Sequence, residues 1–174
     1  MKKLKISTFV IFFLLIFSKV AYSTDKIAIL DLDSLLEKTN YGKKIIADLN
    51  LLNEKNLKSL QKIEEEIKLN QENIKKQKNL LSEEELAKKV NKLNSDIIEF
   101  KKTKNNLVSN FNSKKKNKLD EFFKMIIPEI EKHIDDKDIT LVFDKKNIFI
   151  ANKKNNITDD IVRIIDEKLK WAKS

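Results

Sequence analysis

The sequence predicts a mainly α-helical fold in which a long antiparallel helical hairpin, a coiled coil, projects from a small β-containing body. Three observations predict this fold. Within residues 43–133, which have a helical pattern throughout, mainly apolar residues recur at steps of three and four over 60–81 and again over 86–111, the spacing of a coiled-coil seam. The phase of that repeat breaks at SEEE, residues 82–85. Short β-type runs lie near both ends of the chain, so both ends contribute to the body.

The first 23 residues have the features of a cleavable secretory signal peptide. Lysines in MKKLK precede an uncharged apolar run, and Ala21 and Ser23 supply the small residues that signal peptidase needs. We expect cleavage after Ser23. The alternative is an uncleaved membrane anchor, which is disfavoured because a run of about 13 residues is short for crossing roughly 30 Å of hydrocarbon.

Composition limits the kind of fold that the mature chain can form. Residues 1–23 hold four lysines and no acid, so their removal lowers the formal net charge from +9 to +5. With 7% aromatic and 36% charged residues, there is little material for a thick core, which favours one elongated or oligomeric domain. The chain has no cysteine, so no disulfide framework is expected.

The first part of the body is predicted from residues 24–42. KIAILDL, residues 26–32, alternates in polarity and predicts a strand. A short helix then starts at Asp33 or Ser34, and Gly42 marks a joint before the arm.

The second part of the body is predicted from residues 134–174. ITLVF, residues 139–143, and IFIA, residues 148–151, flank the turn sequence DKKN and predict a β-hairpin. A last helix begins near Thr158, since threonine followed by two aspartates suits a helix start. Its apolar stripe comprises Ile161, Ile164, Ile165 and Leu169.

The arm, residues 43–133, is predicted to fold back near residue 82. Ser82 and Glu85 have the spacing of a capping box, which starts a new helix. A single helix would be about 135 Å long and carry two stripes out of phase, whereas folding at Ser82 buries the stripes on each other. The predicted seam is Leu60, Ile63, Ile67, Asn70, Ile74, Gln77 and Leu81, paired with Leu86, Val90, Leu93, Ile97, Phe100, Lys104, Leu107 and Phe111.

No catalytic, cofactor-binding or metal-binding pattern is evident in the sequence. His133 is the one histidine and Gly42 the one glycine, so neither a histidine metal cluster nor a glycine-rich phosphate loop can form. We predict that the protein is not an enzyme and needs no cofactor or metal. Nucleic-acid binding is disfavoured by the signal peptide, the single arginine Arg163 and the lack of an aromatic platform. A basic exported protein is better suited to anionic lipid head groups or acidic chains.

Two stretches near the ends of the mature chain resemble the Skp/OmpH family of periplasmic chaperones. They are DKIAILDLDSLLEK, residues 25–38, and DITLVFDKKNIFIANKKNNITDDIVRII, residues 138–165. The resemblance implies a homotrimer with a β-barrel-like trimerisation body, formed by strands from the three subunits. It also implies that three helical hairpins surround a cavity that holds unfolded outer-membrane proteins without ATP. The expected location is therefore the periplasm.

The resemblance directs attention to three sets of residues. The candidates for the trimer core, or for an ordinary core within one subunit, are Ile27, Ile29, Ile126, Ile127, Leu141, Phe143, Ile148 and Ile150. The candidates for client contacts are apolar arm residues outside the seam, Leu69, Leu80, Ile98 and Val108, of which Leu69 and Leu80 are expected to share a helix face. The lysines nearest to the lipopolysaccharide-binding patch of the family are Lys104, Lys114, Lys115 and Lys116.

Two functions from different classes are consistent with the sequence. The first is an ATP-independent periplasmic holdase that binds unfolded outer-membrane proteins, with lipopolysaccharide or an anionic membrane surface as a further partner. The second is an exported coiled-coil structural or adaptor protein that binds a folded envelope partner.

Overall fold

The structure, a computed structural model, describes residues 25–171. The predicted signal peptide, residues 1–23, lies outside these residues. Two single-turn 3-10 helices, Lys145–Asn147 and Lys153–Asn155, lie between the last strand and the last helix. The regular elements in chain order are β1 (Lys26–Leu30), α1 (Leu32–Lys38), α2 (Asn40–Gln77), α3 (Glu83–Asp136), β2 (Ile139–Asp144) and α4 (Thr158–Trp171).

The strands form a two-stranded parallel sheet, and the predicted β-hairpin is wrong. β1 pairs with β2, Ile27 opposite Leu141, while residues 148–151 form no strand. The Asp144 carboxylate accepts a hydrogen bond from the Lys146 N–H at 3.1 Å. This local bond favours a 3-10 turn over a hairpin turn. The long arm supplies the crossover that parallel strands require.

The chain folds back where the seam changes phase. The N–H groups of Leu80 and Leu81 donate to the Gln77 carbonyl at 2.9 and 3.2 Å, which closes the end of α2. The predicted capping box is present at the start of α3: the Glu85 N–H donates to Ser82 Oγ, and the Ser82 N–H donates to Glu85 Oε2.

The two helices of the arm keep one register over most of their length. Lys89 Nζ donates to Gln77 Oε1 at 2.6 Å, and Lys118 Nζ lies 3.0 Å from Asp48 Oδ2. The two residue numbers of each pair average 83, so α2 and α3 keep the same register from one pair to the other. The polar seam residues Asn70, Gln77 and Lys104 are exposed, as is Val90 to 37%. The half-buried seam residues are Leu60, Ile63, Ile67, Ile74, Leu81, Leu86, Leu93, Ile97, Phe100, Leu107 and Phe111.

α3 extends past the arm into the body. It has 54 residues where α2 has 38, and its last part buries Phe122, Ile126, Ile130 and His133. The predicted arm boundary at residue 133 is therefore not a helix end. Pro128 lies within α3 and does not interrupt it, although proline removes one backbone hydrogen bond.

The core of the body joins segments from both ends of the chain and from α3. Phe122 is fully buried and stacks against Tyr41 with ring centroids 6.3 Å apart. Lys168 of α4 forms an ion pair with Glu129 of α3. The buried apolar cluster is Ala28, Leu30, Leu35, Ile45, Phe122, Ile126, Ile130, Ile157, Ile161 and Ile165.

The joint between α1 and α2 is built around Thr39 and Gly42. Thr39 is fully buried; its hydroxyl donates to the Leu35 carbonyl at 2.7 Å and accepts from the Gly42 N–H at 3.1 Å. A Cβ at Gly42 would lie 2.0 Å from the Leu36 carbonyl oxygen. Only glycine allows the two helices to approach this closely.

We expect Gly42→Ala to destabilise the protein by about 3 kcal/mol, because the added methyl overlaps backbone atoms that cannot move away alone. In an ordinary helix the same change stabilises by about 0.5 to 1 kcal/mol. Urea unfolding followed by circular dichroism measures the effect, with the exposed Asn50→Ala in the same helix as the control. A stabilising effect of Gly42→Ala would contradict the close approach.

Candidate functional site

The candidate trimer-core residues divide into a buried and an exposed set. Ile126 is 0% and Ile29 is 6% exposed, and Ile126 belongs to the buried apolar cluster of the body, as the alternative of an ordinary core within one chain predicts. Ile148 is half-buried. The exposed candidates are Ile27, Ile127, Leu141, Phe143 and Ile150.

Phe149 is the most exposed large apolar residue of the body and was not predicted from the sequence. Its relative exposure is 104%, and that of Ile150 is 85%. In a strand, alternate side chains point to opposite faces. The predicted strand over residues 148–151 has Ile148 and Ile150 as core candidates, which assigns Phe149 to the opposite face. Phe149 and Ile150 lie in a bend and not in a paired strand, so the alternation does not hold and both side chains are exposed. Phe149 and Ile150 thus form an exposed apolar surface, and such surfaces mark interaction sites.

The exposed apolar residues adjoin an open strand edge. Ile27 and Leu141 are cross-strand neighbours, and both are exposed. Among residues 25–171, β2 pairs only with β1, so its other edge has no partner strand. An open edge beside exposed apolar side chains is suited to pairing with another chain.

Ion pairs and hydrogen bonds hold the segment that follows β2 against the start of α1. Asp31 caps α1, where sequence alone indicated Asp33 or Ser34. Its carboxylate accepts from the Ser34 N–H at 3.0 Å and from Lys145 Nζ at 2.8 Å. The backbone N–H of Asp31 donates to Thr158 Oγ1 at 3.0 Å, which links the start of α4 to the same point.

These contacts change the titration of Asp31. The hydrogen bond from Lys145, with that from the Ser34 N–H, lowers the pKa of Asp31 from 3.8 to about 2. The neighbouring Lys146 lies 3.2 Å from Asp33, whose carboxylate raises the pKa of Lys146. Two adjacent lysines are thus anchored to α1 just before the exposed segment begins.

The four candidate client-contact residues are all exposed on the arm. Leu69, Ile98 and Val108 project from the helices, and Leu80 is 84% exposed in the turn. Because α2 ends at Gln77, Leu80 does not share a helix face with Leu69, and that expectation is wrong. Further exposed apolar residues that sequence reasoning missed are Leu51, Leu57 and Val90. Leu51 and Leu57 lie outside the predicted seam, and Val90 lies at a seam position, which predicted burial.

The candidate anion-binding lysines lie along one helix. Lys104, Lys114, Lys115 and Lys116 are exposed on α3. Lys116 is paired with Asp120 at 2.6 Å. Lys104 is about 15 Å from Lys114 along the helix axis, so a single small anion cannot contact both.

Within residues 25–171, no group of three or more histidine, cysteine or acidic residues could hold a metal ion. None of the helices in this part of the chain is long and apolar enough to cross a membrane.

We expect Asp31→Asn to lower stability by about 1 kcal/mol at neutral pH, because asparagine keeps the helix cap but loses the ion pair, which is partly screened. The pKa of Asp31 is lower in the folded protein than its ordinary value of 3.8. Its ionised carboxylate therefore stabilises the folded protein above pH 3.8, and this contribution is lost as the pH falls towards 2. The difference between wild type and variant should therefore vanish near pH 2.

Denaturant unfolding at several pH values measures this difference. Asp33→Asn is the control, because its ion pair is more exposed. A difference that is independent of pH would show that the charge of Asp31 does not contribute.

The family of this chain follows from its match to a family model. Residues 26–165 match the family model described as outer membrane protein (OmpH-like). A crystal structure of a candidate outer membrane chaperone (OmpH-like) from Caulobacter crescentus CB15 aligns with a TM-score of 0.74 at 14% identity, covering 84% of this chain and 86% of that one. No curated protein gave a significant match. Since the family model spans most of the sequence, the chain belongs to the OmpH-like outer membrane protein family.

Proposed function

We propose that this protein is an ATP-independent periplasmic holdase that binds unfolded outer-membrane proteins in a cavity between the helical arms of a homotrimer. The observation that carries the proposal is a paired helical arm with exposed apolar residues, all but Val90 outside its own seam, mounted on a body with an open apolar surface. Family membership and the chaperone description of the Caulobacter protein support it. No catalytic step is required.

The distribution of apolar residues on the arm suits an unfolded partner. Leu51 and Leu69 are 18 residues apart on α2, and Ile98 and Val108 are 10 residues apart on α3, so these exposed side chains do not form one patch. Single exposed apolar residues bind weakly, but many weak contacts made by one flexible chain add up by effective concentration. A client held in this way can stay disordered and can leave without chemical energy.

The proposed trimer places the exposed apolar face of the body between subunits. Association would cover Ile27, Leu141 and Phe143 together with Phe149 and Ile150, and a strand from a neighbour would satisfy the open edge of β2. A β-barrel-like body of three subunits meets both requirements. The exposed lysines Lys104, Lys114, Lys115 and Lys116 are the proposed contacts for lipopolysaccharide or an anionic membrane surface.

We expect Phe149→Asp to convert the trimer to monomers, because burying an unpaired carboxylate in a subunit interface is unfavourable. Analytical ultracentrifugation of the mature protein measures the oligomeric state, and circular dichroism checks that the helices are kept. Leu57→Asp, which adds the same charge to an exposed site on the arm, is the control. A variant that sediments like the wild-type trimer would exclude Phe149 from the interface.

We expect a fourfold variant with aspartate at Leu69, Leu80, Ile98 and Val108 to lose roughly tenfold in its ability to prevent aggregation of an unfolded β-barrel protein, since several partial apolar contacts are lost together. Light scattering after dilution from urea measures this activity. The control places four aspartates at the exposed polar residues Gln71, Asn91, Asn94 and Asn117.

Equal activity of the two fourfold variants would contradict these client contacts. If the wild-type protein ignores unfolded chains but binds a native envelope protein, the adaptor function would replace the holdase proposal.

A further inference from the structure

One face of the arm carries a groove that is not lined by any of the exposed leucines described above. Two cavities of about 480 and 380 Å³ lie side by side between α2 and α3. They share Asn70, Lys92 and Asp96 in their walls, so they form one continuous groove. On α2 it runs from Ile63 to Gln77, which is about 21 Å at 1.5 Å per residue, the span of about six residues of extended chain.

The floor of the groove is apolar and one wall is made of amides. Asn70, Asn73 and Gln77 line the α2 side at steps of three and four, so they share one helix face. Gln77 accepts from Lys89, whereas the amides of Asn70 and Asn73 make no hydrogen bond with any described residue. The floor consists of the half-buried residues Ile63, Ile67, Ile74, Leu93 and Phe100.

A primary amide offers the same hydrogen-bonding groups as a peptide bond. It donates through NH₂ and accepts through C=O, so a row of amides can bind the main chain of an extended polypeptide whatever its sequence. The facing wall carries Lys88, Lys89 and Lys92. Their ammonium groups are paired with Glu84, Gln77 and Asp96, and an ammonium group that exchanges its partner can donate to a peptide carbonyl. Because extended chains alternate their side chains, every second residue can face the apolar floor.

Charge differs between the two halves of the groove. The half nearer the turn has three lysines against Asp96 alone. The half nearer the body has Glu66, Asp96 and Glu99 against Lys92 alone. A bound segment is therefore stabilised when its acidic end lies towards the turn.

We propose that this groove binds about six residues of extended, unfolded polypeptide through hydrogen bonds to the main chain, with the acidic end of the segment towards the turn. The inference rests on the proposed holdase function and assigns its main-chain recognition to Asn70 and Asn73. An amide on a coiled-coil seam can also serve only to set register. Asn73, however, lies outside the seam and still lines the groove.

The double variant N70L/N73L separates these explanations. Leucine at residue 70 extends the apolar seam, so thermal stability should stay the same or rise, while the affinity for unfolded chain should fall about tenfold, the effect of two hydrogen bonds. The probe is a fluorescein-labelled twelve-residue peptide that alternates threonine and tyrosine, bound to the full mature protein. The matched control, Q71L/N91L, replaces two exposed amides outside both cavities. Unchanged or tighter binding by N70L/N73L would overturn the proposal.

A modified peptide tests the main-chain contacts directly. Methylation of alternate backbone nitrogens should weaken binding to the wild type and to Q71L/N91L, and should have no further effect on N70L/N73L. An equal effect on all three proteins would overturn main-chain recognition by these amides.

Two further readouts test orientation and separate the two proposals. A paramagnetic label on the acidic end of a peptide with aspartates at one end and lysines at the other should broaden the methyl signals of Ile74 more than those of Ile63; the reverse would overturn the orientation. Wild-type protein that binds neither peptide nor unfolded β-barrel protein would remove the holdase function itself. Wild type that binds both, with N70L/N73L binding equally well, would remove the groove alone.

Discussion

The parallel pairing of β1 with β2 is the constraint on which the rest of the structure depends. Both strands run in the same direction, so the chain must leave the end of β1 and return to the start of β2. Residues 31–138 make that connection as an outward and a returning helix. α3 exceeds α2 by 54 minus 38, or 16 residues, and its final turns supply Phe122, Ile126 and Ile130 to the core. The arm and the body therefore share one helix and are stabilised together.

Sequence reasoning succeeded where the deciding interactions were local. The seam of the arm follows from a repeat of three and four, and Ser82 with Glu85 forms the box that their spacing predicts. It failed where a distant segment decided the outcome. ITLVF pairs with β1, more than 100 residues away, and a short 3-10 turn replaces the expected hairpin. Likewise, the positions of α4 and α1 decide whether Ile126 faces its own core or a second subunit. The spacing of apolar residues along the sequence does not give those positions.

The network at Asp31 connects the core of the body to its exposed surface. Asp31 joins β1 to α1, receives Lys145 from the segment after β2, and donates its N–H to Thr158 at the start of α4. Asp31 thus contacts three segments that are distant from one another in sequence. Lys145 lies four residues before Phe149, and both Phe149 and Ile150 are exposed. An exposed apolar surface that is held in place loses less conformational entropy on association than a flexible one.

The body and the arm differ in how their apolar surface is arranged, and that difference matters for the proposed function. In the body, the exposed Leu141 and Phe143 lie on the strand that has the open edge, an arrangement suited to the lasting interface of the proposed trimer. On the arm, Leu69 and Ile98 stand alone among polar neighbours, and full burial of such a side chain contributes only about 1.5 to 3 kcal/mol. In the proposed holdase, a client would therefore exchange single contacts rapidly while the subunits stay together, and no nucleotide cycle would be needed for capture and release.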